Sequence, residues 1–197
     1  MFRYSSQTAL FLAASLSLLA VGCNSRPARI WPAKVNSSSA AAEAMKTYDA
    51  NSDGKISGDE FAKCTALKGV AKDGAVTPEM LVELLNRWQA GDVGRVAMCI
   101  RIQHNGKPLV GAAVKLTPER FMGKDVRPAV GKTDKTGAAT VSVAIAKPEE
   151  PEGVSLGFYR VEVAKDGESI PAKYNTATAL SAAATGESNI LVFNLVY

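Results

Sequence analysis

The chain has little of what most chemistry needs. Its 197 residues include one histidine, three cysteines and two tryptophans, and aromatic residues make up only 7%. No Ser-His-Asp order, HExxH helix, CxxC pair or glycine-rich phosphate loop appears. These absences exclude the familiar hydrolytic, zinc-dependent and nucleotide-dependent sites. The single histidine, His104, stands beside a hairpin signal and reads as a solvent-facing turn residue. Charge of one sign is also lacking: the formal net charge is only +4, and Lys and Arg are scattered rather than striped, so nucleic-acid binding has no support. No apolar run reaches the ~20 residues of a membrane-spanning helix. With 47% hydrophobic and 21% charged residues, the composition is that of a folded product rather than a disordered one.

What is present begins with a leader. Residues 1–22 carry Arg3 and an apolar stretch from Ala9 to Val21, and they end in Ala20-Val21-Gly22 before Cys23. That arrangement predicts a secretory signal peptide. The small residues before Cys23 resemble a bacterial lipobox, which implies cleavage and lipidation at Cys23 and a membrane-anchored place in the cell envelope, facing the periplasm or the surface. An ordinary cleaved signal with a free Cys23 is the alternative. Residues 23–37 then read as a lipid-anchored linker, with Asn24 to Pro32 lacking periodicity. Once Cys23 is assigned to lipid, Cys64 and Cys99 remain as an even pair in an oxidising compartment. A disulfide between them and two buried free thiols are both open.

The most informative stretch is Asp49-Ala50-Asn51-Ser52-Asp53-Gly54-Lys55-Ile56-Ser57-Gly58-Asp59-Glu60. It fits the twelve-residue EF-hand calcium loop at every diagnostic position. Calcium is a hard cation that takes six to eight oxygens. Asp49, Asn51 and Asp53 stand at positions 1, 3 and 5. Lys55 would offer its main-chain carbonyl, Ser57 its hydroxyl or a bound water, and Glu60 both carboxylate oxygens. Gly54 falls where the backbone must turn with positive φ. Ser57 and Glu60 also read as a capping box that opens the next helix.

Around this loop the spacing predicts helices. The serines at 37–39 cap a helix over Ala40–Tyr48, with Ala41, Ala44, Met45 and Tyr48 on one face. A second helix carries Phe61, Cys64 and Leu67 inward and stops at Gly69. Residues 69–80 repeat only the second half of the loop: Gly74 matches Gly54 and Val76 matches Ile56, but Gly69, Ala71 and Met80 replace the oxygen donors. This degenerate loop should pair Val76 with Ile56 and hold no ion. Thr77 and Pro78 then open a helix whose stripe is Leu81, Leu84, Leu85 and Trp88.

Beyond Gly91 the period changes to two. Met98, Ile100 and Ile102 alternate with Cys99, Arg101 and Gln103. Asn105-Gly106 marks a hairpin. Gly111–Thr117, Ala139–Ile145, Phe158–Val163, the segment after Ile170, and Ile190–Val196 supply further strands. Asn105-Gly106-Lys107-Pro108-Leu109, Thr133-Asp134-Lys135-Thr136-Gly137 and Gly157-Phe158-Tyr159-Arg160-Val161-Glu162-Val163 resemble the signature stretches of carboxypeptidase regulatory-like domains. These are transthyretin-like sandwiches, and the ending from Ile170 is similar to that of planctomycete-type lipoproteins carrying one.

The expected fold is therefore α+β and multidomain. A helical EF-hand module spans 38–90, with a competent loop at 49–60 and a degenerate loop at 69–80. An antiparallel transthyretin-like or Ig-like β-sandwich spans 91–197. The resemblance implies an accessory, non-catalytic role and supplies no ligand; with the calcium loop and the lipobox-like leader, the expectation is a calcium-binding cell-envelope lipoprotein acting as a structural or interaction module, open to a protein or glycan partner at the cell surface. The alternative is a carbohydrate- or peptide-binding accessory of a surface enzyme or assembly.

Overall fold

The computed structural model describes residues 29–187 and 190–197. The expected signal peptide and the expected lipidation site at Cys23 lie outside the described residues. Helix α1 (Ser37–Tyr48) is capped by Asn36, whose side-chain oxygen accepts the Ser39 N–H at 2.9 Å, so the cap lies just before the serines expected to supply it. Strand β1 (Ile56–Ser57), helix α2 (Thr65–Lys68), strand β2 (Ala75–Val76) and helix α3 (Pro78–Ala90) complete the helical half. The Thr77 hydroxyl accepts the Met80 N–H at 3.4 Å and caps α3, with Pro78 in the first turn. Leu81, Leu85 and Trp88 are buried along the predicted stripe, and Leu84 is half-buried.

The helix expected to run through Phe61, Cys64 and Leu67 is two pieces instead. A 3-10 turn (Gly58–Lys63) ends at Cys64, whose φ of −150° and ψ of 83° interrupt it before α2. The cause is tertiary. The Ser181 hydroxyl oxygen accepts the Ala66 N–H at 2.8 Å and lies 3.0 Å from the Thr65 hydroxyl, so a strand of the other half holds the start of α2. Phe61, Cys64 and Leu67 are all buried regardless. Residues 69–80 do not coil as a loop of calcium-binding length. Lys72 and Ala75 exchange main-chain hydrogen bonds of 3.0 Å around Asp73 (φ 52°) and Gly74 (φ 77°), a two-residue turn that needs left-handed backbone at both positions. Ile56 does pair with Val76.

The β half contains β3 (Met98–His104), β4 (Lys107–Pro108), β5 (Ala113–Pro118), β6 (Ala129–Lys132), β7 (Ala138–Val143), β8 (Gly157–Ala164), β9 (Ser181–Ala184) and β10 (Ile190–Leu195). They form one curled half-barrel in the order β10-β3-β7-β6-β5-β8-β9, with β4 added to β3. Two expectations are corrected. The sheet is not wholly antiparallel: β10 leaves the β8–β9 side, crosses to β3 and runs parallel to it. The segment after Ile170 is a 3-10 turn (Ala172–Tyr174) behind Pro171, and the strand comes later, at β9.

Alternation sorts the side chains into two layers. Ile100, Ile102, Val114, Leu116, Val141, Tyr159 and Val161 fill the inside of the curl and are fully buried or nearly so. The other face of β8 carries Phe158 and Arg160 toward the helices. There Trp88 meets Phe158 at 5.4 Å between ring centroids, Phe158 meets Phe121 at 5.6 Å, and Phe121 meets Tyr48 at 6.3 Å. The helices thus cover the outer face of β8 and β9, while that of β5 stays open at Ala113 and Lys115.

That layering settles the cysteines. Cys64 and Cys99 are both free, and the disulfide left open by the sequence is not made. Cys64 is buried beside Ser181, on the helix-covered side. Cys99 alternates with the inward Met98 and Ile100, and so lies on the outer face of β3, with the β core between the two thiols. Burial pushes the Cys64 thiol up to about 11, which leaves it a packed, unreactive group.

Candidate metal centre

The loop from Asp49 to Glu60 joins α1 to the 3-10 turn, and its backbone is wound so that side-chain oxygens turn in on main-chain N–H groups. Asp49 accepts from Asp53 N–H at 3.2 Å and from Gly54 N–H at 3.0 Å. Asn51 Oδ1 accepts from Asp53 N–H at 2.9 Å, and Asp53 Oδ1 from Lys55 N–H at 3.2 Å. Glu60 reaches across the whole loop: Oε1 accepts from Ala50 N–H at 2.7 Å and Asn51 N–H at 3.2 Å, and Oε2 from Ser57 N–H at 2.9 Å. Gly54 has φ 84°, the left-handed value that position requires. The Ser57 N–H bond, followed by those from Ala50 and Asn51, holds the Glu60 carboxyl below its ordinary range. Glu60 therefore stays ionised in mildly acidic solution.

The donor set is mixed. Among the described residues no three His, Cys, Asp or Glu side chains gather into a metal cluster of their own. The carboxylates of Asp49, Asp53 and Glu60 and the Asn51 oxygen are turned instead on the loop's own main-chain N–H groups, with Ser57 and the Lys55 carbonyl as the further oxygens of the expected set. The Lys55 ammonium stands 4.0 Å from Asp53 and offsets part of the negative charge. All donors are oxygens, which fits a hard divalent cation and not zinc or copper.

The loop is fastened to the β half at a point the sequence did not reveal. Tyr48, the residue before Asp49, donates its hydroxyl to Glu119 Oε2 at 2.8 Å. Glu119 follows β5 and is only 3% exposed, while its Oε1 finds no hydrogen-bond partner. Burial raises the Glu119 carboxyl above its ordinary value, against the opposing pull of the Tyr48 hydroxyl and Arg160. Because the folded value is the higher one, this group favours folding most below its unfolded value of 4.5 and progressively less as pH rises through the folded value. Glu119→Gln removes that titration. The melting temperature of the variant minus that of the wild type should climb as pH rises above the unfolded value of 4.5; a difference that stays constant with pH refutes the assignment. Nothing local in the sequence marks Glu119 as a partner of α1.

His104 is held more firmly than a turn residue. Its ring stacks on Tyr197 with centroids 4.1 Å apart and planes 7° from parallel, and Nδ1 lies 3.4 Å from Glu168.

No protein-family model matches this chain, and no curated protein matches it.

Proposed function

We propose that this chain is a calcium-binding lipoprotein of the cell envelope, serving as a non-enzymatic structural or interaction module. The observation that supports the reading is the winding of one loop around its own N–H groups, which Asp49, Asn51 and Asp53 accept, closed end to end by Glu60. Calcium would be held by those four side chains with Ser57 and the Lys55 carbonyl, and it would supply charge neutralisation and loop rigidity rather than any reaction. The pairing of Ile56 with Val76 supports one competent loop braced by a partner lacking the donors. Anchoring at Cys23 rests on the lipobox-like sequence before it, and the interaction role rests on the resemblance of the β half to regulatory-like sandwiches.

A calcium titration by calorimetry on the full chain tests the reading. One ion per chain is expected, with a dissociation constant on the order of 10⁻⁴ to 10⁻³ M as in extracellular modules. A stoichiometry of two, or no binding at millimolar calcium, defeats it.

A further inference from the structure

The half-barrel has two free edges, and they are treated differently. At β9, helix α2 packs on the outer face and is bonded to the Ser181 hydroxyl. At β10 the bonds to the outward main chain, among the described residues, come from Lys173 and Tyr174 and are confined to Val196. Soluble proteins ordinarily blunt a free edge with lysine, proline, a bulge or a covering element, because its unpaired N–H and C=O groups otherwise recruit another strand. From Ile190 to Tyr197 the chain has no charged residue and no proline. Its outward side chains are apolar and β-branched: Ile190 is 54% exposed, Val192 52% and Val196 56%.

The hydrogen bonds show which main-chain groups are free. Leu195 carbonyl accepts from Asn105 N–H on the β3 side. Val196 faces the other way, its N–H donating to the Tyr174 hydroxyl at 3.0 Å and its carbonyl accepting from Tyr174 and Lys173. Since strand residues alternate, Ile190, Val192 and Asn194 direct their N–H and C=O groups away from β3. Val196 is already engaged, so the open length is Ile190–Asn194.

We propose that β10 is the docking edge for a second copy of this chain, paired antiparallel about a two-fold axis at Val192. In that register Val192 opposes Val192 of the second copy, and Ile190 opposes Asn194, so every outward N–H and C=O of the open length is used at once. An isologous contact of this kind brings the same surface against itself. Most surfaces of a basic chain would then oppose like charges. This one does not, because β10 carries none. The partner strand continues the β10–β3–β7 face, and the exposed Ile190 and Val192 become interior to an extended sheet. The inference is independent of the calcium reading.

Sedimentation of the full-length chain from about 5 to about 500 µM should show a monomer–dimer equilibrium. Val192→Lys should weaken association by more than about tenfold, since edge lysines block strand addition, while leaving the melting temperature of the monomer unchanged. In a Cys99→Ser background, Val192→Cys should form an intermolecular disulfide under mild oxidation, and Val196→Cys, which has no partner in this register, should not. A monomer across the whole range overturns the proposal, as does a dimer indifferent to Val192→Lys. If the Val196→Cys chain cross-links as readily as the Val192→Cys chain, the register is overturned.

Discussion

Glu60→Gln should lower calcium affinity by more than about 100-fold, because even residues that only support a metal ligand cost 10–100-fold when changed. Glu60 is the one side chain that touches both ends of the loop, through Ala50 and Asn51 at one end and Ser57 at the other. Glutamine keeps the length but can accept at only one of the two ends, its NH2 group facing an N–H at the other, so the calcium-free chain should melt somewhat below the wild-type temperature. What disappears is the closing bidentate charge. The neighbouring Asp59→Asn, which removes a carboxylate outside the donor positions, is the control and should bind normally. A Glu60→Gln protein that binds calcium within about threefold of wild type would end the site assignment.

The second large effect belongs to Trp88→Ala, which should reduce the unfolding free energy by about 3–5 kcal/mol, the usual cost of deleting a large buried aromatic. Trp88 is 8% exposed and its ring lies against Phe158, at the head of the aromatic chain that glues α3 to β8. With total stabilities of about 5–15 kcal/mol, that loss is large enough to loosen the helical layer from the sheet. Chemical denaturation measures it, and a change under about 1 kcal/mol would mean the junction is not where the stability lies. Fluorescence offers a second reading. The only other tryptophan, Trp31, is 64% exposed, so the blue-shifted emission of the folded chain comes from Trp88 and should vanish in the variant.

Much of the local structure was legible because short-range rules governed it. Gly54 at the obligatory left-handed position, Thr77 and Pro78 at the start of α3, Asn105-Gly106 in a tight turn and the alternation of β3 all follow from residues within a few positions of one another. The departures arise where a distant partner overrides the local preference. Cys64 breaks a helix because Ser181 takes the Ala66 N–H from across the interface. The loop at 69–80 shortens to a turn because Asp73-Gly74 favours a two-residue hairpin once no ion demands a longer path. Tyr48 and Glu119 find each other only after α1 docks, and no pattern along the chain records that meeting. Arg160 is a further case: its Nε is buried without a partner beneath the helices, though it sits in a strand that reads as plainly alternating.

The crossing of β10 to β3 also sets a timetable. Ile190 pairs with Cys99 and Leu195 with His104, so the first long strand of the β half waits for the last one. Closing so long a stretch of chain carries an entropic cost that local turns do not, and topologies dominated by such contacts fold slowly. A ribosome or a translocation channel that has released everything up to Glu187 has released a chain whose β3 still lacks its parallel neighbour. In the helical half, α1 and α3 need no residue beyond Ala90 to meet, and only the start of α2 waits for Ser181. The pairing of α1 with α3 can precede the sheet that the helices will cover.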